Sequence, residues 1–305
     1  MLPDAHTIQE LFLEVGDGHQ LYVQEWGNVQ AATTQLFLHG GPGSGTSDSH
    51  KKRFDPQQHH VIFFDQRGSG RSLPYGSLDH NTTEHLIKDI TTLLDHLEIS
   101  EAVLVGGSWG SALALAYAIM HPKRVAAMVL QGIFTGSKKE IEWIDKGLFK
   151  NFYPDAWAQY LAQTPRSHHH NPTAYHTARV LGADEQVRQA SAFSYETLEG
   201  SLMSLDDRVS TRDISTYDPL PMRLGMYYLH NACFMEDRYI LDNAHTLTMP
   251  IWLIQGRYDM VCPPETAYEL HQKLPQSHLI WTTAGHRSAD RSTTDVIKTI
   301  LLQFS

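Results

Sequence analysis

The segment Val103-Leu-Val-Gly-Gly-Ser-Trp-Gly-Ser-Ala-Leu-Ala-Leu-Ala-Tyr117 constrains the chain more than any other. Ala102 to Val105 is a short apolar run that reads as a buried strand. Ser111 to Met120 is alanine-rich and reads as a helix. His121-Pro122 stops it, because a residue before proline is pushed out of the helical region. Between the two stands Gly106-Gly107-Ser108-Trp109-Gly110, which fits G-x-S-x-G in the strand-then-helix context that gives the pattern meaning. A chain passing so abruptly from strand to helix must turn sharply. Gly106 and Gly110 remove side chains that would collide in that turn, and Ser108 is left projecting above the sheet in a strained backbone geometry. The bland reading of the same residues is a glycine-rich turn with a passive serine.

The surrounding pattern supplies the rest of the architecture. Glu10 to Val15 and Gln20 to Trp26 alternate and flank Gly16-Asp17-Gly18, a β-hairpin signature. Gln35 to Leu38 and Val61 to Phe64 are short apolar runs, as expected of strands buried on both faces. Asn81-Thr-Thr-Glu84 resembles a capped helix start, and Leu86, Ile90, Leu93, Leu94 and Leu97 follow at helical spacing. Val125 to Leu130 is a further strand. Alternating strands and helices imply a mostly parallel, doubly wound sheet covered on both faces. The rhythm lapses from about Gly136 to Ala244 and returns with the strand Pro250 to Gln255, a helix near Glu265 to Lys273, the strand His278 to Thr282 and a final helix near Thr294 to Phe304. The expected organisation is a core over residues 1–135 and 245–305, with a helical cap inserted at 136–244.

Bulk properties narrow the function classes. The chain has 305 residues and 34 acidic against 24 basic side chains, a formal net charge of −10. Such a surface argues against nucleic acid or an anionic membrane as partner. No window approaches the ~20 apolar residues of a membrane helix. The N-terminus lacks a basic patch followed by an apolar run, so no signal peptide is read. Two cysteines, Cys233 and Cys262, fit a reducing compartment better than a disulfide framework. A cytoplasmic location is expected. The tract Ser167-His-His-His170 invites a metal reading, but three consecutive residues cannot all face one ion on a regular element, so a polar loop is expected and no metal site is read.

A serine hydroxyl is a poor nucleophile without a base, and the base needs an orienting carboxylate. On this type of sheet the acid and then the histidine follow the serine in chain order, each after a later strand. Asp259, in Gly256-Arg-Tyr-Asp259, and His286, in Thr282-Thr-Ala-Gly-His286, occupy those two strand ends. The oxyanion of the tetrahedral intermediate needs preorganised donors. His39-Gly-Gly-Pro-Gly43 follows the first buried strand, and the bare backbone of Gly41 can supply one. The N–H of Trp109, just after the nucleophile, should supply the other.

His39-Gly-Gly-Pro-Gly43, Asp65-Gln-Arg-Gly-Ser-Gly-Arg-Ser72, Gly106-Gly-Ser-Trp-Gly-Ser111 and Gly256-Arg-Tyr-Asp-Met-Val-Cys-Pro263 together resemble the proline iminopeptidase (prolyl aminopeptidase) branch of the α/β-hydrolases. Gln131-Gly-Ile-Phe-Thr135 is similar to that family's entry into its cap. The resemblance implies an α/β-hydrolase fold, removal of an N-terminal proline from short peptides with a free amine, and no metal or organic cofactor. It implies catalysis by Ser108, Asp259 and His286, with Gly41 and Trp109 facing the oxyanion and Asp65 and Arg67 structural.

The resemblance also implies cap glutamates that hold the substrate amine, since a carboxylate in a closed pocket rewards a cation and rejects blocked peptides. Tyr195-Glu-Thr-Leu-Glu-Gly200 keeps one acid, Glu199, while both tryptophans of the family's motif are replaced. Leu224-Gly-Met-Tyr-Tyr-Leu229 puts Gly225 where the second acid belongs. Glu196, one helical turn before Glu199, could compensate or could be solvated surface. Phe134 and Cys262 match the family's pocket; Ile144 and Leu229 stand where it has aromatics. Two alternatives to a peptidase remain: a hydrolase acting on a small ester or another amide, and a binding protein on the same scaffold.

Overall fold

The computed structural model describes residues 6–205, 213–287 and 289–305. β1 (Thr7–Glu14) and β2 (Gln20–Gly27) form the expected hairpin. Then come β3 (Thr34–Leu38), the single-turn α1 (Asp48–Lys51), β4 (His60–Phe64), α2 (Thr83–His96), β5 (Ala102–Ser108), α3 (Trp109–Met120) and β6 (Val125–Ile133). Six helices follow without a strand among the described residues: α4 (Lys138–Asp145), α5 (Pro154–Ala162), α6 (Pro172–Val180), α7 (Glu185–Leu202), α8 (Leu220–His230) and α9 (Tyr239–Asn243). β7 (Ile251–Gly256), α10 (Pro264–Lys273), β8 (Ser277–Thr282) and α11 (Arg291–Leu301) complete the chain.

All eight strands belong to one sheet in the order β1-β2-β4-β3-β5-β6-β7-β8. β2 is antiparallel to β1 and β4, and every other pairing is parallel. Side-chain alternation sorts the core into two layers. Leu36, Leu38, Ile62, Phe64 and Leu104 face α2, α3, α9 and α10. Phe37, Val61, Phe63, Val103 and Val105 face α11 and the loop carrying Phe54. This explains the unbroken apolar runs of β3 and β4: a parallel strand covered on both faces has no polar side. A third cluster, built from Ile144, Phe149, Tyr160, Val180, Tyr195, Leu198, Leu202 and Met226, lies within the inserted helices. His168, His169 and His170 are exposed beside a short turn.

Three local readings shift. β5 runs through both glycines to Ser108, and β6 runs to Ile133, because Gly107 pairs with Gln131 and Gln131 with Ile254. Ladder pairing thus extends strands past residues that would break them locally. The cap of α2 is Thr82, whose hydroxyl pairs with His85 Nδ1 at 2.8 Å. Asn81 is engaged elsewhere: its amide donates to the carbonyls of Arg67 and Ser77, and its Oδ1 accepts from Tyr228 of α8. No helix among the described residues is long and apolar enough to cross a membrane.

Arg67 and Asp89 form a buried fork. Nε and Nη2 of Arg67 donate to the two oxygens of Asp89 at 2.7 and 2.8 Å, and the remaining donors reach Asp17, His80 O and Val15 O. Asp65 spends its carboxylate on Thr46 and Arg71. Both residues thus brace turns. Removing one partner of a buried pair strands the other charge. Asp89→Ala is expected to lower the unfolding free energy by about 3–5 kcal/mol, read from urea denaturation; a loss within about 0.5 kcal/mol would mean that water replaces the carboxylate.

Candidate active site

Ser108 ends β5 and caps α3 with φ 56° and ψ −124°, a conformation that non-glycine residues rarely hold. The glycines around it answer to sterics. A Cβ at Gly106 would stand 2.4 Å from Gly110 O, and one at Gly110 would stand 2.1 Å from Leu38 O. α3 begins at the next residue, so its N-terminal N–H groups and its dipole point towards the serine.

His286 Nδ1 lies 2.8 Å from Asp259 Oδ2. Asp259 is buried and fully engaged: Oδ1 accepts from the N–H groups of Val261 and Cys262 at 3.0 and 2.8 Å, and Oδ2 also accepts from Gln255 at 3.2 Å. Burial opposes charge on His286, but the charge of Asp259, its hydrogen bond and the charge of Glu199 outweigh that, and the pKa is raised above the ordinary 6.5. The N–H groups of His286 and Arg287 both donate to Met203 O at 3.0 Å, just past the end of α7. The helix that carries Glu199 therefore also fixes the histidine loop.

A cavity of about 260 Å³ opens over the C-terminal ends of β3, β5 and β6 and is lined by Gly41, Ser108, Glu199 and His286 among others. Serine, histidine and glycine loop thus converge from three distant segments. The pKa of Glu199 is raised by burial, with the charge of His286 pulling it partly back. Glu196, Phe134 and Cys262 do not line this cavity. The Phe134 ring belongs to the main core, and its N–H donates to Ser111 Oγ at 3.0 Å. Cys262 is buried; that burial, and the charge of Asp259 after it, push its pKa well above 9.0. It is a neutral packing group there, not a second nucleophile. Ile144 packs inside the helical insertion, and Leu229 lines a separate cavity of about 470 Å³ beside Tyr195 and Met226. A Cβ at Gly225 would stand 3.4 Å from Pro42 O, so this position of α8 abuts the glycine loop.

Residues that sequence reasoning left without a role stitch the site together. His39 Nδ1–H donates to Gly40 O at 2.8 Å, while its Nε2 accepts from the N–H of Gln66 at 3.0 Å. Burial holds the pKa of His39 below 6.5, so the ring is neutral and both nitrogens have fixed roles. The Gln66 side chain donates to His39 O and accepts from Trp109 Nε1, each at 2.9 Å. One glutamine thereby ties the Gly41 loop to the residue after Ser108. Gln131 donates to His286 O at 3.1 Å. Gln255 donates to Cys262 O at 2.9 Å and accepts from Ile133 N at 2.8 Å. The signal was present in the sequence: Gln66, Gln131 and Gln255 are glutamines at or just past the ends of buried strands, where an unbonded amide would be costly.

One trio among the described residues, Asp17, His80 and His85, could gather around a cation. Asp17 already accepts from Arg67 at 3.1 Å, and none of the three lines the Ser108 cavity.

Residues 36–289 match a family described as "alpha/beta hydrolase fold". The chain is 34% identical over 303 residues to a proline iminopeptidase of Xylella fastidiosa (strain Temecula1 / ATCC 700964), covering 97% of this chain and 96% of that one. It is 36% identical over 282 residues to a proline iminopeptidase of Arabidopsis thaliana, covering 90% and 74% of the two chains. In structure it superposes on an esterase from Exiguobacterium antarcticum with a TM-score of 0.67 at 18% identity, covering 97% and 99%, a likeness of fold alone. Fold and sequence agree: the chain belongs to the proline iminopeptidase family of the α/β-hydrolases.

Proposed function

We propose that the protein is a serine aminopeptidase that releases N-terminal proline from short peptides through an acyl-enzyme. The observation that carries the reading is the meeting of Ser108, His286 and Glu199 on one small cavity, with Asp259 bonded behind the histidine. Residues 136–244 act as the cap that supplies Glu199 and closes the site.

In the free enzyme His286 is oriented by Asp259, which leaves its Nε2 to take the Ser108 proton. Ser108 Oγ attacks the carbonyl carbon of the first residue. The N–H groups of Gly41 and Trp109 receive the oxyanion, with the α3 dipole adding to the field. Protonated His286 then gives its proton to the departing amine of the second residue. Water, deprotonated by the same histidine, attacks the prolyl ester and returns Ser108 to its starting state. The ammonium of the substrate rests against Glu199 throughout, which selects for a free N-terminus.

A second reading, hydrolysis of a small ester or another amide, is favoured by one observation. With Gly225 in α8, Glu199 is the single acid lining the cavity among the described residues, and Ile144 and Leu229 lie outside it. A panel of proline arylamide, its N-blocked form and a short-chain aryl ester separates the two. Cleavage of the first with little of the second is expected; activity confined to the ester would replace the peptidase reading.

Glu199→Gln should lower kcat/KM for the free-amine substrate by about ten- to a hundred-fold, mainly through KM, and for the ester much less. Equal losses on both would remove Glu199 from amine binding. The pH dependence gives an independent check. The base must be neutral, so a pKa raised above 6.5 places the acid limb of kcat/KM above that value. Part of the rise comes from the charge of Glu199, so Glu199→Gln should move the limb to lower pH when followed with the neutral ester. A limb that stays put would show that the carboxylate does not reach the imidazole.

A further inference from the structure

The cavity over Ser108 is charged against the trend of the chain. Acidic residues outnumber basic ones by 34 to 24 overall, yet among the described residues the cavity gathers two arginines, Arg53 and Arg287, against one carboxylate, Glu199. His50 also lines it but adds no positive charge. Burial, and then the charge of Arg53, push its pKa down to about 3. The charge that Glu199 feels most is that of His286, not that of either arginine.

The two cations come from different parts of the fold. Arg53 follows α1, and its guanidinium lies 5.3 Å from the centre of the Phe37 ring. Burial lowers its pKa only to about 10, so it stays a cation at neutral pH. Arg287 directly follows the catalytic histidine, and its backbone is pinned to Met203 O at 3.0 Å, although its side chain is exposed. It can therefore meet a substrate without any rearrangement of the histidine.

We propose that Arg53 and Arg287 form a carboxylate-binding end of this cavity, so that the preferred substrates are di- and tripeptides with a free C-terminus. The proposal rests on the aminopeptidase reading and specifies its substrate. With the ammonium at Glu199 and the first carbonyl at Ser108, the terminal carboxylate of such a peptide lies only one or two residues further, roughly 3.5–7 Å along the chain. A cavity of about 260 Å³ suits a ligand of that size and falls just below the usual range for small-molecule pockets. Guanidinium groups recognise carboxylates through paired donors and keep their charge at every working pH. The pattern of one acid and two arginines matches a zwitterion. A long peptide would carry its carboxylate past the cavity and gain nothing from them. The arginines also offset, at the one place it matters, the unfavourable field that a chain of net charge −10 presents to the carboxylate end of such a zwitterion.

The test compares kcat/KM for Pro-Gly, Pro-Gly-amide and a proline arylamide, using the wild type, Arg287→Ala and Arg53→Gln. The free dipeptide should exceed its amide by at least about ten-fold in the wild type. Each substitution should pull that ratio towards one, with the loss falling on the free acid. Residual arylamide hydrolysis shows that a variant is folded, and the exposed Arg287 makes its truncation the safer of the two. Equal rates on acid and amide in the wild type, or a ratio unmoved by either substitution, would overturn the subsite while leaving the aminopeptidase intact. No cleavage of any of the three by the wild type would sink the aminopeptidase reading and the subsite with it.

Discussion

The backbone of Ser108 sits at a φ of 56°, and the sheet around it leaves no other arrangement. Such a conformation costs about 1–3 kcal/mol and persists only where its surroundings over-determine it. Here they do. β5 is held between β3 and β6, α3 is buried along almost its whole length, and Gly110 packs so close to Leu38 O that even a methyl group would collide. The position of the hydroxyl is thus set by the most rigid part of the molecule. The loops that complete the site only have to reach a fixed point.

How they reach it is a matter of buried amides. An unbonded side-chain amide in the interior costs a few kcal/mol, so each glutamine at the sheet's edge is committed to particular partners. Gln66 joins the glycine loop to Trp109, and Gln255 joins β6 to the Asp259 turn. Gln131 of β6 holds the backbone of His286 beyond β8, across the end of β7. These bonds cross between segments far apart in sequence, which lets three loops act as one surface. His39 belongs to the same framework, and its neutral ring, caught between a donor and an acceptor, is a rivet with no proton to give.

The parts legible in the sequence share a cause. β3, β4, β5 and the elbow follow from local rules, namely two-sided burial and the steric demand of a sharp turn, and those rules leave marks on neighbouring residues. The pairing of Asp259 with His286 was legible because a parallel sheet brings the turns after its later strands together at one end. What escaped reading is set by tertiary partners. Asn81 looked like a cap residue but is bonded to Arg67 and Tyr228. β6 passes through Gln131 and Gly132 because its neighbours pair with it. Phe134 and Cys262 fitted a pocket by motif, yet the cavity wall is built from side chains such as Arg53 and Arg287, which carry no motif of their own.

In the proposed aminopeptidase, a glycine at position 225, where the resembled family has an acid, changes what Glu199 must do. With two carboxylates near an ammonium, each can remain partly solvated and share the charge. With Glu199 alone, the whole interaction falls on a group whose burial already favours its protonated form. An arriving ammonium reverses that preference, since it favours the ionised carboxylate by direct attraction in a poorly solvated space. Part of the attraction is consumed in ionising the anchor when the pH is low, so a single buried acid makes a weaker and more pH-sensitive hold than a pair. A site in that position gains by holding its substrate at a second point. The proposed arginine subsite would provide one, and holding a short zwitterion at both ends would place its first carbonyl over Ser108 more narrowly than either charge could alone.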